Sequence, residues 1–537
     1  MSHEVVTNGS PSGKVAIGGA TGTPWETDSG TLVTRPLTGD LHTDVCVVGG
    51  GIAGLSVAYR LSRAGKSVVL LESRRLGAGD TGETTAHLAS ALDERFTRLE
   101  KVHGEDGARQ AYESHQGAIE EIAAIVRAEE IDCDLERLDG YLFLGPGDEP
   151  EPLDEELAAA RRAGFRDAER LEEVPGAPFA GGPCLRFPRQ GRFHPLKYLA
   201  GLAAAVERGG GRIFTGSHVV EVDRGPDPFA RTREGFTVRA PALVIATNVP
   251  IHDRGPVNSR MEPYRTYALA APVPRGAVPD ALWWDTANPY HYVRLQPGGE
   301  GHDLLIVGGE DHRSGEGPGG EGPGGEGPGG QGPGGEEPWR RLEEWTRERF
   351  PIGPVAHRWS GQVMEPIDGL AYIGGDPLAP DHLFLATGDS GHGMTHGALA
   401  GILISSLILG DEHPWTALYD PRRLRLRSAP DLLGAGLHAA SKYLEWLPGI
   451  GESVKSTDDV PRGGGAIVHR HGRPVAVHRD DAGALHERSA VCPHLGCIVH
   501  WNDAEKSWDC PCHGSRFGPR GEVIHGPARR DLGEPPA

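Results

Sequence analysis

The chain has 537 residues, with 54 Lys and Arg against 75 Asp and Glu, so its formal charge is 54 − 75 = −21. A nucleic-acid binder or a basic membrane-surface protein is disfavoured, because both depend on an excess of positive charge. No apolar run reaches the roughly 18 residues of a spanning helix, and residues 1–30 lack the basic start and apolar core of a signal peptide. We therefore expect about three domains, no nucleic-acid partner, no transmembrane segment and a cytoplasmic location.

The chain begins with a polar arm and continues with a βαβ pattern. Residues 1–40 are rich in Gly, Ser, Thr and Pro without periodicity, which predicts a disordered N-terminal arm. The apolar run from Asp44 predicts a buried parallel strand, residues 52–64 follow a helical pattern, and a second apolar run ends at Glu72. Together these segments predict a βαβ unit.

A glycine-rich loop joins the first strand to the first helix. Gly49, Gly51 and Gly54 match the spacing G-x-G-x-x-G. Gly49 permits the tight turn, Gly51 lets the backbone approach a pyrophosphate, and Gly54 lets helix and strand pack closely. Glu72, which lies 21 residues beyond Gly51, would accept hydrogen bonds from the adenosine ribose. The loop predicts a dinucleotide cofactor but does not separate FAD from NAD.

Helical and strand patterns alternate over the rest of the first 424 residues. The predicted helices lie at 105–130, 195–208, 338–350 and 395–409. The predicted strands lie at 141–144, 212–214, 218–222, 241–247, 261–312 and 382–387. Between residues 315 and 335 the sequence Glu-Gly-Pro-Gly-Gly recurs, and its Gly and Pro content cannot build a core. We expect a solvent-exposed insertion there.

Four of the seven cysteines lie between residues 492 and 512, beside two histidines. The cluster comprises Cys492, His494, Cys497, Cys510, Cys512 and His513. Thiolates and imidazoles at this spacing predict a metal site, and the residue types by themselves leave zinc possible. The other three cysteines, Cys46, Cys133 and Cys184, are isolated, so we expect them to be structural.

Three further segments carry a resemblance to a known family. Residues 77–87, 246–247 and 387–395, together with 44–72, resemble the amino-acid-oxidase-like (DAO) family of FAD-dependent oxidoreductases over about 41–420. The resemblance implies that the cofactor is FAD and that the late glycine-rich segment covers the isoalloxazine ring, where a helix N-terminus stabilises the reduced flavin. The implied FAD-binding residues are Gly49, Gly51, Gly54, Glu72, Thr84, Thr85, His87, Val219, Thr247, Gly393, Met394 and Thr395.

His87 is open to three roles. It follows Thr85 and Ala86 at a place where some dehydrogenases of this family carry a histidine bonded covalently to the flavin. A noncovalent contact with the flavin and simple packing are the other two roles.

The cysteine and histidine cluster resembles the Rieske 2Fe-2S domain. The resemblance implies that Cys492 and Cys510 hold one iron and that His494 and His513 hold the other, which raises the reduction potential toward roughly −150 to +300 mV. It also implies a disulfide between Cys497 and Cys512, and a hydrogen bond from Ser515 to a bridging sulfide. Phe517 stands where the high-potential members have a Tyr, so we expect a potential below the top of that range.

The two resemblances together define the expected fold. It is a Rossmann-like α/β FAD-binding domain with an inserted mixed-sheet (α+β) substrate domain, followed by a small all-β Rieske domain. The FAD-binding segments are 41–100, 190–255 and 360–420, within an oxidoreductase unit at 41–424. The remaining expected parts are substrate-domain segments 101–189 and 256–359 with a low-complexity insertion at 313–337, a linker at 425–455, the Rieske domain at 456–531 and a tail at 532–537.

A flavin takes two electrons as a hydride, whereas a Rieske cluster carries one. The whole order resembles bacterial FAD-dependent oxidoreductases with a C-terminal Rieske domain, a family without a well-established substrate. It implies a dehydrogenase that oxidises an amine or amino acid at the flavin and passes electrons singly through the cluster to an external acceptor protein or quinone. Two alternatives stay open: a reductase that receives electrons at the cluster from a donor protein, and an O2-dependent amine oxidase with a structural or redox-sensing cluster.

Residues near the substrate are harder to assign. A carboxylate substrate would need an Arg near the ring, and Arg265, Arg294 and Arg358 lie in or beside the aromatic-rich strands. His392 and His396 flank the late glycine loop and are placed to face a substrate, and either is equally suited to be a hydrogen-bonded polar residue at the start of a helix. The residues that would wall the pocket are Tyr267, Tyr292 and Trp359. We take Arg265, Arg294 and His392 as the candidate catalytic residues, and no general base is evident.

Overall fold

The computed structural model describes residues 22–26, 35–251, 257–314, 336–424, 446 and 453–535. The helices are α1 (Ile52–Arg63), α2 (Asp80–Glu83), α3 (Phe96–Ala128), α4 (Glu151–Arg162), α5 (Pro195–Arg208), α6 (Glu337–Arg349), α7 (Gly393–Leu409) and α8 (Thr416–Tyr419). All four helices predicted after the first βαβ unit are confirmed. The one expected at 105–130 starts earlier, at Phe96, and is interrupted at Gly104, whose backbone is not helical.

In the described part of the chain, nineteen strands precede residue 390. They are β1 (Leu41–His42), β2 (Val45–Val48), β3 (Val68–Leu71), β4 (His87–Leu88), β5 (Glu136–Phe143), β6 (Glu169–Leu171), β7 (Cys184–Arg192), β8 (Arg212–Phe214), β9 (Val219–Asp223), β10 (Phe229–Thr232), β11 (Thr237–Arg239), β12 (Ala242–Ile245), β13 (Met261–Pro274), β14 (Leu282–Asp285), β15 (His291–Pro297), β16 (His302–Arg313), β17 (His357–Pro366), β18 (Tyr372–Gly375) and β19 (Leu383–Thr387). A further seven lie near the C-terminus: β20 (Gly464–Arg470), β21 (Arg473–Arg479), β22 (Leu485–Ser489), β23 (His500–Asn502), β24 (Ser507–Asp509), β25 (Arg516–Phe517) and β26 (Val523–His525).

A six-stranded sheet of order β18-β19-β12-β2-β3-β8 is parallel except for its edge strand β18. Its central strands are buried on both faces, as expected of a parallel sheet covered by helices. Helix α1 packs against α5 and α7. The approach to α7 is close, because a Cβ at Gly401 would overlap Ser56 of α1. This sheet is the predicted Rossmann-like unit.

A nine-stranded mixed sheet forms the second layer of the oxidoreductase unit. Its order is β17-β13-β16-β15-β14-β5-β7-β4, with β6 beside β7. Neighbouring strands are antiparallel except β14 and β5. Helix α6 packs on β13 and β16. The predicted mixed-sheet domain is confirmed, although β4 and part of β17 come from segments that the sequence assigns to FAD binding.

The C-terminal module is all-β, as predicted. It contains two antiparallel sheets, β20-β21-β22 and β23-β24-β25-β26. Phe517, Trp508 and the cluster cysteines lie in its hydrophobic core. No helix within the described ranges is long and apolar enough to cross a membrane.

The N-terminal arm requires a correction. The prediction of disorder over 1–40 is wrong for residues 22–26 and 35–40, which the structure describes. Trp25 is fully buried, its indole N–H donates to the carbonyl of Thr84 at 2.8 Å, and its ring packs edge-on against His194. A single buried aromatic residue leaves no periodic signal in a polar segment. Predictions for the rest of the arm, for 315–335, for most of the linker and for 536–537 lie outside the described residues.

Candidate functional site

A cavity of about 520 Å³ opens at the carboxyl ends of β2, β3 and β12. In a sheet of this topology the crevice beyond those strand ends is the expected ligand site. The mixed sheet contributes side chains of β15, β16 and β17, and the start of α7 covers one end. Residues 523–529 of the C-terminal module complete the wall.

The glycine loop after β2 forms one side of the cavity and tolerates no larger residue. Gly49 has a φ of +113°, and a Cβ there would overlap the carbonyl of Ala246. A Cβ at Gly54 would overlap the carbonyl of Gly49, and one at Gly51 would press on the Thr81 hydroxyl. The predicted roles of these glycines fit: Gly49 in the turn, Gly51 at the cavity and Gly54 between helix and strand. The loop is a cradle of backbone at the start of α1, as a pyrophosphate needs.

The residues that follow β3 place an acidic and a basic side chain at the cavity. The Glu72 carboxylate lines the cavity and accepts the backbone N–H groups of Gly50 at 2.7 Å and Arg74 at 2.8 Å. The Nε and Nη1 atoms of Arg74 are buried at the cavity and meet no acceptor among the described residues. Two buried guanidinium nitrogens without an acceptor fit a phosphate ligand, so the donor set suits FAD.

Most of the predicted FAD-binding residues do line this one cavity. They are Gly49, Gly51, Glu72, Thr84, Thr85, His87, Val219, Thr247, Gly393 and Met394. Thr395 does not, because its hydroxyl turns away to bond Nδ1 of His115 at 2.9 Å and the carbonyl of His392. It therefore fixes the start of α7 instead of facing the cofactor.

His87 lies in the cavity wall with both ring nitrogens occupied by protein partners. Nδ1 lies 3.0 Å from the Thr85 hydroxyl, and Nε2 lies 3.3 Å from the carbonyl of Val293. Burial and the nearby Arg294 lower the pKa of His87 to about 3, so its ring is neutral. This arrangement fits a noncovalent role better than a bond to the flavin.

The part of the cavity beside the mixed sheet is strongly acidic. Its lining includes the carboxyl groups of Asp93, Glu94, Asp311, Glu365 and Asp389, together with Tyr290 and Tyr292. Arg98 also lines this end of the cavity and forms an ion pair with Glu94. The Oδ1 atom of Asp311 is buried and has no hydrogen-bond partner within the described part of the chain. No sequence pattern indicates this group, because its members come from distant segments.

Burial makes several of these carboxyl groups weak acids. Burial, with repulsion from Glu365 and Asp93, raises the pKa of Asp311 to about 7. Burial raises the pKa of Glu365 to about 7 as well, because burial and repulsion from Glu262 and Asp93 outweigh the attraction to Arg98. A cation placed between them would relieve both effects, because an opposite charge favours the ionised form.

Neither of the two arginines proposed as catalytic residues faces the cavity. Arg294 is 1% exposed and donates to the carbonyls of Ala86 at 2.8 Å and Phe193 at 3.0 Å. Arg265 is also 1% exposed and points to the C-terminal module, 3.7 Å from the Asp509 carboxylate. Both guanidinium groups hold the structure together, so the placement does not favour a substrate contact. Arg358 pairs with Glu343, away from the cavity.

His392 does line the cavity. Its Nε2 atom accepts the backbone N–H of Asp93 at 2.9 Å. Next to it, Nε2 of His396 lies 3.1 Å from Nε2 of His115. Burial and His392 lower the pKa of His396 to about 3. A catalytic role for His392 stays a prediction.

Of the three aromatic residues proposed to wall the pocket, one lines the cavity and two do not. Tyr292 lines the cavity, where its hydroxyl lies 2.7 Å from that of Thr266. Tyr267 and Trp359 are fully buried in the mixed sheet outside the lining, and the Trp359 indole donates to the carbonyl of Glu83 at 2.7 Å.

The second site lies in two loops of the C-terminal module that are built alike. The N–H of Cys492 bonds the carbonyl of Cys497 at 2.8 Å, and the N–H of Cys510 bonds that of Ser515 at 2.8 Å. Cys497 and Cys512 form the implied disulfide, which ties the two loops together. Cys492 and Cys510 are free and almost fully buried.

The two histidines complete the ligand set. The rings of His494 and His513 are perpendicular, with centroids 5.0 Å apart. Nδ1 of His513 is buried and meets no hydrogen-bond partner among the residues that the structure describes, as expected of an atom that binds metal. Because the disulfide consumes two of the four cysteines, two thiolates and two imidazoles are left, which is the donor set of a Rieske cluster. These residues would hold the cluster.

The two sites meet across the contact between the modules. Gln362 of β17 lines the cavity, and its amide packs on the cluster loop so closely that a Cβ at Gly514 would overlap it. Ser360, on the same strand, donates to Glu505 at 2.7 Å. One strand of the oxidoreductase unit thus separates the cavity from the cluster loop.

Comparison with known proteins agrees with both sites. The FAD dependent oxidoreductase family matches residues 44–407, and the Rieske 2Fe-2S domain family matches residues 452–536. The chain therefore belongs to the FAD dependent oxidoreductase family and carries a Rieske domain at its C-terminal end. It is an oxidoreductase that uses FAD and a 2Fe-2S cluster.

Individual relatives support the same assignment. The Bacillus subtilis (strain 168) protein named as a Rieske 2Fe-2S iron-sulfur protein, YhfW, is 31% identical over 512 residues, which are 95% of this chain and 96% of the relative. The Escherichia coli (strain K12) gamma-glutamylputrescine oxidoreductase is 28% identical over 70% of this chain and 85% of its own. Glycine oxidase from Geobacillus kaustophilus shares the fold, with a TM-score of 0.57 at 20% identity over 72% of this chain and 99% of its own.

Proposed function

We propose that the protein is a dehydrogenase that oxidises a cationic amine at FAD and passes the electrons singly through the Rieske cluster to an external acceptor protein or quinone. When bound, FAD supplies two-electron chemistry and the cluster one-electron chemistry. The observation that carries the proposal is Gln362, a residue of the cavity wall whose side-chain amide packs on the cluster loop. This contact lies within one chain, so electron transfer between the sites needs no second copy.

The acidic end of the cavity favours an amine over an α-amino acid. Asp311 and Glu365 present carboxyl groups there, whereas the neighbouring Arg98 is already paired with Glu94. An amino acid would bring its own carboxylate into this group, and like charges at short range repel. One relative is a gamma-glutamylputrescine oxidoreductase, which agrees with an amine substrate.

Asp311 is suited to hold and deprotonate the substrate. An alkylammonium group has a pKa near 10 in water and would bind as the cation. Its attraction to Asp311 is strong because the carboxyl group is buried and its Oδ1 atom has no hydrogen-bond partner among the described residues. With a pKa of about 7, Asp311 can accept the proton and leave a neutral amine, the form from which a hydride departs. Tyr290 and Tyr292 would pack on the carbon chain of the amine.

Anaerobic titration of the iron-replete holoenzyme tests this function. Monoamines, diamines and α-amino acids are added in turn, while flavin absorbance and the electron paramagnetic resonance (EPR) spectrum are recorded. We expect amines to bleach the flavin and to produce a reduced-Rieske signal, and amino acids to do neither. Reduction by amino acids alone would refute the amine assignment. Flavin bleaching without any cluster signal, accompanied by peroxide in air, would refute the electron route and favour an oxidase.

A matched pair of variants distinguishes the loss of a carboxylate in the cavity from the loss of a carboxylate elsewhere on the same strand. Asp311→Asn removes the charge in the cavity, whereas Asp303→Asn makes the same change on β16, where Asp303 pairs with Arg275 away from the cavity. We expect D311N to weaken amine binding and D303N to leave it unchanged. Equal effects in the two variants would refute the role of Asp311.

A further inference from the structure

The C-terminal module contributes directly to the cavity that the glycine loop defines. The contributing residues are Val523, Ile524, His525, Gly526, Ala528 and Arg529. They belong to β26 and the chain that follows it. We propose that the Rieske module forms part of the FAD-binding site, so that residues 523–529 cover the adenosine end of the cofactor and Arg529 adds positive charge there. FAD is then held between two modules.

The position of Arg529 identifies the end that is covered. Its guanidinium donates to the carbonyl of Val220 at 3.0 Å, beside Val219, which lines the cavity on β9. Glu72 and Arg74 lie beside the start of β9, because their carbonyls accept the backbone N–H groups of Ser217 at 2.8 Å and Gly216 at 3.0 Å. Glu72 is the residue suited to the ribose hydroxyls, so Arg529 lies with the adenosine half. Arg74 and Arg529 both line this cavity, and guanidinium groups are suited to bind phosphate oxygens.

The segment is also fixed to the cavity wall by His525. Its Nε2 lies 3.3 Å from the carboxylate of Asp80, which accepts a hydrogen bond from Asn248 at 2.6 Å. All three residues line the cavity. At the other end of the segment the N–H of Ala528 donates to the hydroxyl of Ser515 at 3.0 Å, in the second cluster loop. The covering segment is therefore anchored at both ends.

The modules are also held together away from this segment. Arg265 of β13 lies 3.7 Å from Asp509, and Ser360 donates to Glu505. None of these four residues lines the cavity. Loss of the Arg529 side chain should therefore leave the modules docked, so its effect on FAD binding can be measured separately.

Hydrogen–deuterium exchange of the cluster-loaded protein, with and without FAD, tests the proposal on the unmodified chain. We expect FAD to protect residues 523–529 as well as the glycine loop. Protection confined to residues 41–420 would overturn the proposal, because the Rieske module would then take no part in binding. The measurement does not depend on turnover or on the identity of the substrate.

Two variants then test Arg529 itself. Arg529→Met removes the charge at the cavity, and Arg530→Met removes the exposed neighbouring charge, which does not line it. FAD affinity is measured from the quenching of flavin fluorescence, and EPR confirms an intact cluster in each variant. We expect R529M to raise the Kd for FAD about tenfold, as loss of a charge-assisted hydrogen bond would, while R530M leaves it unchanged. Equal affinity in the two variants would overturn the role of Arg529.

Discussion

Amine binding should depend on pH in a way that identifies Asp311. An alkylammonium ion stays protonated between pH 6 and 8, because its pKa is near 10. The carboxyl group of Asp311, with its pKa raised by burial to about 7, does titrate in that interval. It is ionised above pH 7 and neutral below it, so cation binding should be strong at pH 8 and fall toward pH 6.

The size of the change follows from the pKa. A group with a pKa of about 7 is about nine-tenths ionised at pH 8 and about one-tenth ionised at pH 6, so binding that requires its charge weakens about tenfold. Glu365 has its pKa raised to about 7 as well and adds up to a second factor of about ten if the cation contacts both. Asp311→Asn should remove the tenfold effect that comes from Asp311, so the affinity for the cation should change less between pH 6 and 8.

A quaternary ammonium ion is the appropriate probe, since it carries a charge at every pH and has no proton to lose. Its binding to the oxidised holoenzyme is followed by the change in flavin absorbance between pH 6 and 8, with Asp303→Asn as the control. Affinity that stays constant or increases toward pH 6 in the unmodified protein would refute the reasoning. So would a D303N profile as flat as that of D311N.

Two further changes have defined outcomes. Gln362→Leu should slow the appearance of the reduced-Rieske EPR signal after anaerobic mixing with substrate, without slowing flavin bleaching, because Gln362 lies between the cavity and the cluster loop; equal slowing of both events would contradict this position. Glu83→Gln should raise the Tm relative to the unmodified protein increasingly from pH 4.5 to 8. Burial and Asp80 raise the pKa of Glu83 to about 8, so the native state favours its proton and loses stability as pH rises through that interval. A constant Tm difference between pH 4.5 and 8 would show that Glu83 does not titrate in the fold.

The parts of the site that the sequence predicts are those encoded by local spacing. Gly49, Gly51 and Gly54 lie in one loop, and no larger side chain fits where their backbone meets its neighbours. The cluster ligands and the disulfide lie in two short loops, and the spacing of the cysteines and histidines within these loops is typical of a Rieske domain. In both cases a few consecutive residues determine the geometry, so no long-range contact has to be known in advance.

The acidic end could not be predicted in this way, because sheet register brings it together. Strand β13 pairs with β16 on one side and with β17 on the other, which places Asp311 and Glu365 in one wall. Register also explains the orientation of Arg265, which pairs with Gln362 between β13 and β17. Paired residues leave the same face of a sheet, so Arg265 points with Gln362 to the Rieske module. Nothing in the sequence near Arg265 indicates that module.

The segment that covers the cavity connects the two cofactor sites through very few residues. Ala528 bonds Ser515 in a cluster loop, and His525, three residues earlier, faces Asp80 in the cavity wall. A cluster loop that loses its iron also loses the ligand bonds that fix it, since metal binding and local folding are linked. The position of Ala528, and with it the FAD cover, should then loosen. Protein made without iron should release FAD faster on dilution than the iron-replete protein, with flavin fluorescence as the measure. Equal release rates would mean that the segment keeps its place without the cluster, and the two sites would then be neighbours without being coupled.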